Sequence, residues 1–110
     1  QQQIESPRRS GTERIDQVII RRVRVLPPGD PVQGPDIPLT PGYTVSIRQR
    51  RHPSTRTGYV AFSRNALANT ATRIELGNND SMNGLKIDNF KEAWFDATAA
   101  NTDFEMTGIT

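Results

Sequence analysis

The feature that most constrains this chain is the rhythm of its turn signals. Clusters of Pro, Gly, Asn and Asp at 27–31, 34–42, 53–58 and 77–80 punctuate the chain, and the segments between them read as short strands, several with the period of two of a half-buried strand. In residues 43–48, Tyr43, Val45 and Ile47 alternate with Thr44, Ser46 and Arg48. Eight Gly and eight Pro in 110 residues, with 34% hydrophobic content, argue for turn-rich β structure and against long amphipathic helices. The pattern predicts an all-β chain: a single β-sandwich, jelly-roll or Ig-like, of about seven to eight short antiparallel strands with an extended N-terminal arm.

Taken in order, residues 1–14 hold one aliphatic residue among polar and charged ones and read as a flexible arm. Residues 15–36 form a strand followed by a Pro/Gly-rich connector, and 37–110 form the sandwich core. In the strand, IDQVIIRRVRVL, the alternation changes phase near Ile19 and Ile20, which predicts a bulge. Residues 39–64 read as a β-hairpin whose tip, RRHPSTRTG from Arg50 to Gly58, is cationic and has little to bury. Beyond it lie a loop or single helical turn at 65–72, a short strand at 73–76, a turn at 77–80 and a strand at 82–90 with Gly84 permitting a bulge. Strands at 93–97 and 104–109 complete the set. A faint echo runs through the chain: a leucine, a glycine turn, an alternating strand (Val45 to Ile47, Leu85 to Ile87) and an aromatic strand (Gly58 to Phe62, Ala93 to Ala97). Two facing hairpins would account for it.

Charge is unevenly spread. Residues 1–73 hold all twelve Arg against five acids, a balance of +7, whereas 74–110 hold seven acids against Lys86 and Lys91, a balance of −5. Such asymmetry suits nucleic-acid binding, or a subunit whose basic part meets the acidic part of a neighbour. The preference for Arg over Lys favours planar, bidentate contacts with carboxylate or phosphate. No apolar run approaches the roughly 18 residues of a membrane-spanning helix, so no membrane partner is expected. The sequence opens on Gln1 rather than Met, as a processed or partial N-terminus would.

Catalytic chemistry is poorly provided for. Without Cys, thiolate metal sites and a Cys–His pair are excluded, and a serine triad would need His52, which sits in a cationic tip with no orienting acid nearby. Asp88, Glu92, Asp96, Asp103 and Glu105 are mostly spaced as outward positions of strands. The run Asn78, Asn79, Asp80, Ser81 lacks the alternating acids of a calcium loop and reads as a turn. Neither a cofactor nor a metal is predicted, and the expectation is a non-enzymatic protein.

The order PLTPGYTVSIR, then GYVAFS, then a short strand ending in Leu76 and Gly77, then LKIDNFKEAWFDAT, resembles small β-sandwich structural proteins of tailed-phage virions. In those proteins an L-x-x-G turn leads an alternating strand, and an I-x-N-h-x-x-h-W/Y-h segment leads the next. The resemblance covers residues 37–109 and leaves out the arm and the connector. It implies a virion component, a head decoration or cement protein ahead of a connector or tail protein, held as a homo-oligomer or in many copies by the major capsid, other virion proteins or a sister copy. Contacts with partner carboxylates are expected at Arg8, Arg9 and Arg14 of the arm and at Arg48, Arg50, Arg51 and Arg56 around the hairpin tip. Two other readings compete. One is a carbohydrate-binding adsorption module with Trp94 as its platform; the other is a nucleic-acid-binding small barrel using Tyr43, Tyr59 and Phe62 beside the arginines.

Overall fold

The computed structural model describes residues 16–110. Eight strands form two antiparallel sheets: β1 (Val18–Val25), β2 (Val32–Gln33), β3 (Val45–Gln49), β4 (Gly58–Ala61), β5 (Ile74–Leu76), β6 (Ser81–Leu85), β7 (Trp94–Ala97) and β8 (Thr102–Ile109). Sheet A has the order β1-β8-β3-β6 and sheet B the order β2-β7-β4-β5. The connectivity has a simple origin. β1 pairs with β8, β2 with β7, β3 with β6 and β4 with β5, so the chain is one long antiparallel ribbon folded back on itself. Rolling that ribbon sets β3 against β8 and β4 against β7. Eight strands wound in this way make a jelly roll, one of the two sandwich types expected.

The alternation read from the sequence fixes the inner faces. Val23, Val25, Val45, Ile47, Phe104 and Met106 from sheet A meet Val60, Leu76, Phe95 and Ala97 from sheet B, all buried. Phe95 and Phe104 pack across the layers at 4.8 Å between ring centroids. Phe90 closes one end of the core from a short 3₁₀ turn, Phe90–Glu92. A reciprocal cap holds that turn: the Asn89 side chain accepts from the Lys91 N–H, and the Glu92 carboxylate accepts from the Asn89 N–H. The strand expected over 82–90 is shorter, β6 ending at Leu85 before this turn. Gly84, with φ of 76°, falls within β6, where the pairing with β3 shifts register between Val45 and Ile47. The short helix α1 (Arg64–Ala68), capped by Ser63, lies at the far turn of the ribbon.

Four expectations are corrected. The segment 39–64 is not a hairpin, because β3 belongs to sheet A and β4 to sheet B, and residues 50–57 cross between the layers. The echoed segments are therefore two crossings rather than two hairpins. Each pairs with its counterpart, β3 with β6 and β4 with β7. β1 carries no bulge, since it runs in one register from Val18 opposite Ile109 to Val25 opposite Thr102. The apparent phase change arose because Val18 and Ile20 are exposed, at 65% and 51%, on the outer face. β1 and β2 are also integral members of the sheets, so the sandwich takes in residues N-terminal to Ile37.

Candidate interaction face

The outer face of sheet A is built by three neighbouring strands in strict register. β8 lies in the middle and presents Asp103, Glu105, Thr107 and Ile109 outward. β1 sets Arg24, Arg22, Ile20 and Val18 opposite these, and on the other side Arg48 lies opposite Glu105 and Ser46 opposite Thr107. The face therefore divides into a charged half and a half containing Val18, Ile20 and Ile109.

In the charged half, Arg24 grips Asp103 with two bonds, Nε to Oδ1 at 2.7 Å and Nη2 to Oδ2 at 3.0 Å. Glu105 is the common anion of three arginines: Arg48 at 2.9 Å, Arg50 at 3.4 Å and Arg22 at 3.9 Å. Arg50 is also held by its backbone N–H, which donates to the Asp103 carbonyl at 2.8 Å. The hydrogen bond and charge of Arg24 hold the Asp103 carboxyl below its ordinary range, with Arg50 and Arg22 adding to the effect against partial burial. The same bond raises the Arg24 guanidinium. Among the described residues, four guanidinium groups thus face two carboxylates, an excess of two positive charges within the cluster.

This cluster accounts for much of the charge asymmetry in the sequence. The basic N-terminal part and the acidic C-terminal part meet inside one chain, because the ribbon lays acidic β8 between basic β1 and β3. Of the arginines expected to meet a partner, Arg48 and Arg50 lie in the cluster. Arg51 is exposed at the start of the crossing segment. Arg56 is turned inward and corrects the expectation of an exposed handle: it is 9% exposed and donates to the Ser54 and Ala100 carbonyls. The neighbouring Gln49 is fully buried and donates to the Arg56 carbonyl at 3.2 Å, pinning the segment from below. Asn78 pins it from the side, accepting from the His52 N–H at 2.8 Å and donating to the His52 carbonyl at 2.7 Å. Arg8, Arg9 and Arg14, with the expected arm, lie outside the described residues.

No protein-family model, curated protein or solved structure matches this chain. Nothing in these comparisons links the chain to tailed-phage virion proteins. Arg22 and Arg24 were not singled out in the sequence, although their alternation in VIIRRVRV mirrors that of the acids in TDFEMTGI. Of the aromatics expected beside the arginines, Phe62, which follows β4 of sheet B, is 40% exposed. Tyr59 and Trp94 are half-buried in sheet B, each beneath a guanidinium: Arg73 over Tyr59 at 3.8 Å and Arg64 over Trp94 at 5.9 Å. Tyr43 is exposed and, with Lys86, Ile87 and Asp88, lines a shallow pocket at the other end of the sandwich.

Proposed function

We propose that this chain is a non-enzymatic structural protein of a virion, of the decoration or cement kind, that docks on an assembled shell through the outer face of sheet A. The observation that carries this reading is the guanidinium excess around Asp103 and Glu105 beside exposed Val18 and Ile20. A pre-ordered array of Arg offers planar donors to carboxylates at little further cost in side-chain entropy, and the adjoining aliphatic residues supply area to bury. The jelly-roll topology is compatible with this role. It also hosts lectin domains and cupins, so the argument is made on the face and not on the fold. Docking in many copies would stabilise a modest core by mass action, since only the folded chain presents the face.

The test is co-sedimentation with shells assembled without this protein. Saturation at a fixed ratio to the shell protein, weakened in an Arg22→Gln, Arg48→Gln variant, is the expected result. A protein that stays in the supernatant at every concentration refutes the proposal. Oligosaccharides are the control for an adsorption role, which predicts a Trp94 fluorescence response and no affinity for shells.

A further inference from the structure

The two sheets have four edges, and three of them are poor templates for another strand. β2 spans only Val32–Gln33, β5 only Ile74–Leu76, and β6 is distorted by its register shift and by Gly84. β1 differs: its eight residues, Val18–Val25, run without proline or irregularity. Its backbone orientation follows from one pair of bonds, the N–H to C=O exchange between Gln17 and Thr110 at 2.9 Å in each direction. Bonded and non-bonded pairs alternate in an antiparallel ladder, so Ile19, Arg21, Val23 and Val25 bond to β8. The N–H and C=O groups of Val18, Ile20, Arg22 and Arg24 point away from the sheet, and the Ile20 carbonyl accepts from Arg21 Nη1 at 2.9 Å, a bond that an added strand would displace.

Those same four residues carry side chains on the outer face, in the order aliphatic, aliphatic, cation, cation. The Arg22 and Arg24 side chains remain 65% and 57% exposed despite their ion pairs. We infer that the β1 edge is a strand-addition site for an extended acidic segment of another protein, with aliphatic residues opposite Val18 and Ile20 and carboxylates opposite Arg22 and Arg24. Main-chain bonds to this edge, which no described strand covers, would give affinity, and the alternate side chains would give selectivity. Charge decides against a second copy, because pairing β1 with itself sets two strands bearing Arg21, Arg22 and Arg24 side by side with no acid on either. A nucleic acid would satisfy the guanidinium groups but leave Val18, Ile20 and the outward N–H groups uncovered.

The inference names the partner chemistry for the face on which the proposed docking rests, and it is tested without a shell. The probe is the peptide Glu-Thr-Glu-Thr-Val-Thr-Val-Thr, which in antiparallel register sets Glu opposite Arg24 and Arg22 and Val opposite Ile20 and Val18. Amide hydrogen exchange in the full chain, read residue by residue by NMR, should slow at Val18, Ile20, Arg22 and Arg24. Ile19, Arg21 and Val23, already bonded to β8, should keep their rates. The same peptide with Lys for Glu should have no effect. Arg22→Glu should weaken binding at least about tenfold, equivalent to roughly 1.4 kcal/mol. Ile20→Thr, which keeps the charge, should also weaken it.

Three outcomes overturn the inference: exchange that slows without the alternating pattern, equal response to the Lys peptide, or an oligonucleotide that protects the same amides as well as the peptide does. Protection that grows with protein concentration alone would assign the edge to a second copy and also overturn it. Peptide binding without shell binding would refute the virion role and leave the edge assignment standing. Shell binding with an unprotected edge would do the opposite.

Discussion

Replacing Glu105 by Gln keeps the shape of the side chain and removes the anion on which three arginines converge. Arg48, Arg50 and Arg22 lie at 2.9, 3.4 and 3.9 Å from it; Glu105 itself is 17% exposed, while its partners range from 33% to 65%. Partly exposed pairs of this kind are each worth about 0.2–1 kcal/mol, so the three together put the loss at roughly 1–2 kcal/mol. For a domain of this size that corresponds to a fall in Tm of about 5–10 °C. The assay is urea or thermal unfolding at about 10 mM and 1 M salt, where the screening length shrinks from about 30 to 3 Å, so the loss should shrink by about half or more at high salt. A double-mutant cycle with Arg48→Gln should give a coupling of about 0.5–1 kcal/mol. Unfolding within about 0.3 kcal/mol of the parent at low salt, or a loss identical at both salts, would refute the claim that Glu105 organises the cluster.

The remaining predictions concern the core and the crossing segment. Gly34→Ala should cost about 3 kcal/mol in urea unfolding, because its Cβ would run into the Phe90 backbone carbonyl, which cannot swing aside. Arg56→Ala should destabilise by about 1–3 kcal/mol, as the Ser54 and Ala100 carbonyls lose their donor, whereas Arg51→Ala should change stability by no more than about 0.5 kcal/mol. Asp103 has its folded pKa depressed by Arg24, so its contribution is present above the unfolded carboxyl value of about 3.9 and disappears as pH falls through the folded value. Asp103→Asn should therefore flatten the loss of stability below about pH 4 while lowering stability at neutral pH.

The strands were legible in the sequence because alternation is a local signal. Val45 and Ile47 opposite Ser46 and Arg48, and Phe104 and Met106 opposite Asp103 and Glu105, declare their faces without reference to the rest of the chain. Partnership was not legible, because nothing local states which sheet a strand joins. Residues 50–57 looked like a hairpin tip for want of that information, yet the segment is longer than the usual two- to five-residue hairpin loop and suits a crossing between layers about 10 Å apart. Arg56 was misplaced for a related reason. An arginine in a turn normally reaches solvent, and only the neighbouring buried Gln49 and the Ala100 carbonyl, brought near by the β7–β8 turn, give it an inward alternative. The charged cluster depended on a partner far along the chain: Arg24 and Asp103 are separated by 79 residues, and Arg48 and Glu105 by 57.

The ribbon topology also sets the order in which this molecule can become a protein. β8 comes after the other seven described strands in chain order, and it is an interior strand of sheet A, flanked by β1 and β3. Until it arrives, β1 has no neighbour in its sheet among the described strands, and the hydrophobic side of β3 has no Phe104 or Met106 to meet. Without β8, sheet B and the β3–β6 pair can form, and completion of sheet A waits on contacts between distant parts of the chain. Such long-range closure places folding on the order of milliseconds to seconds, with an uncovered basic strand exposed to chaperones and to the cell's polyanions in the interval.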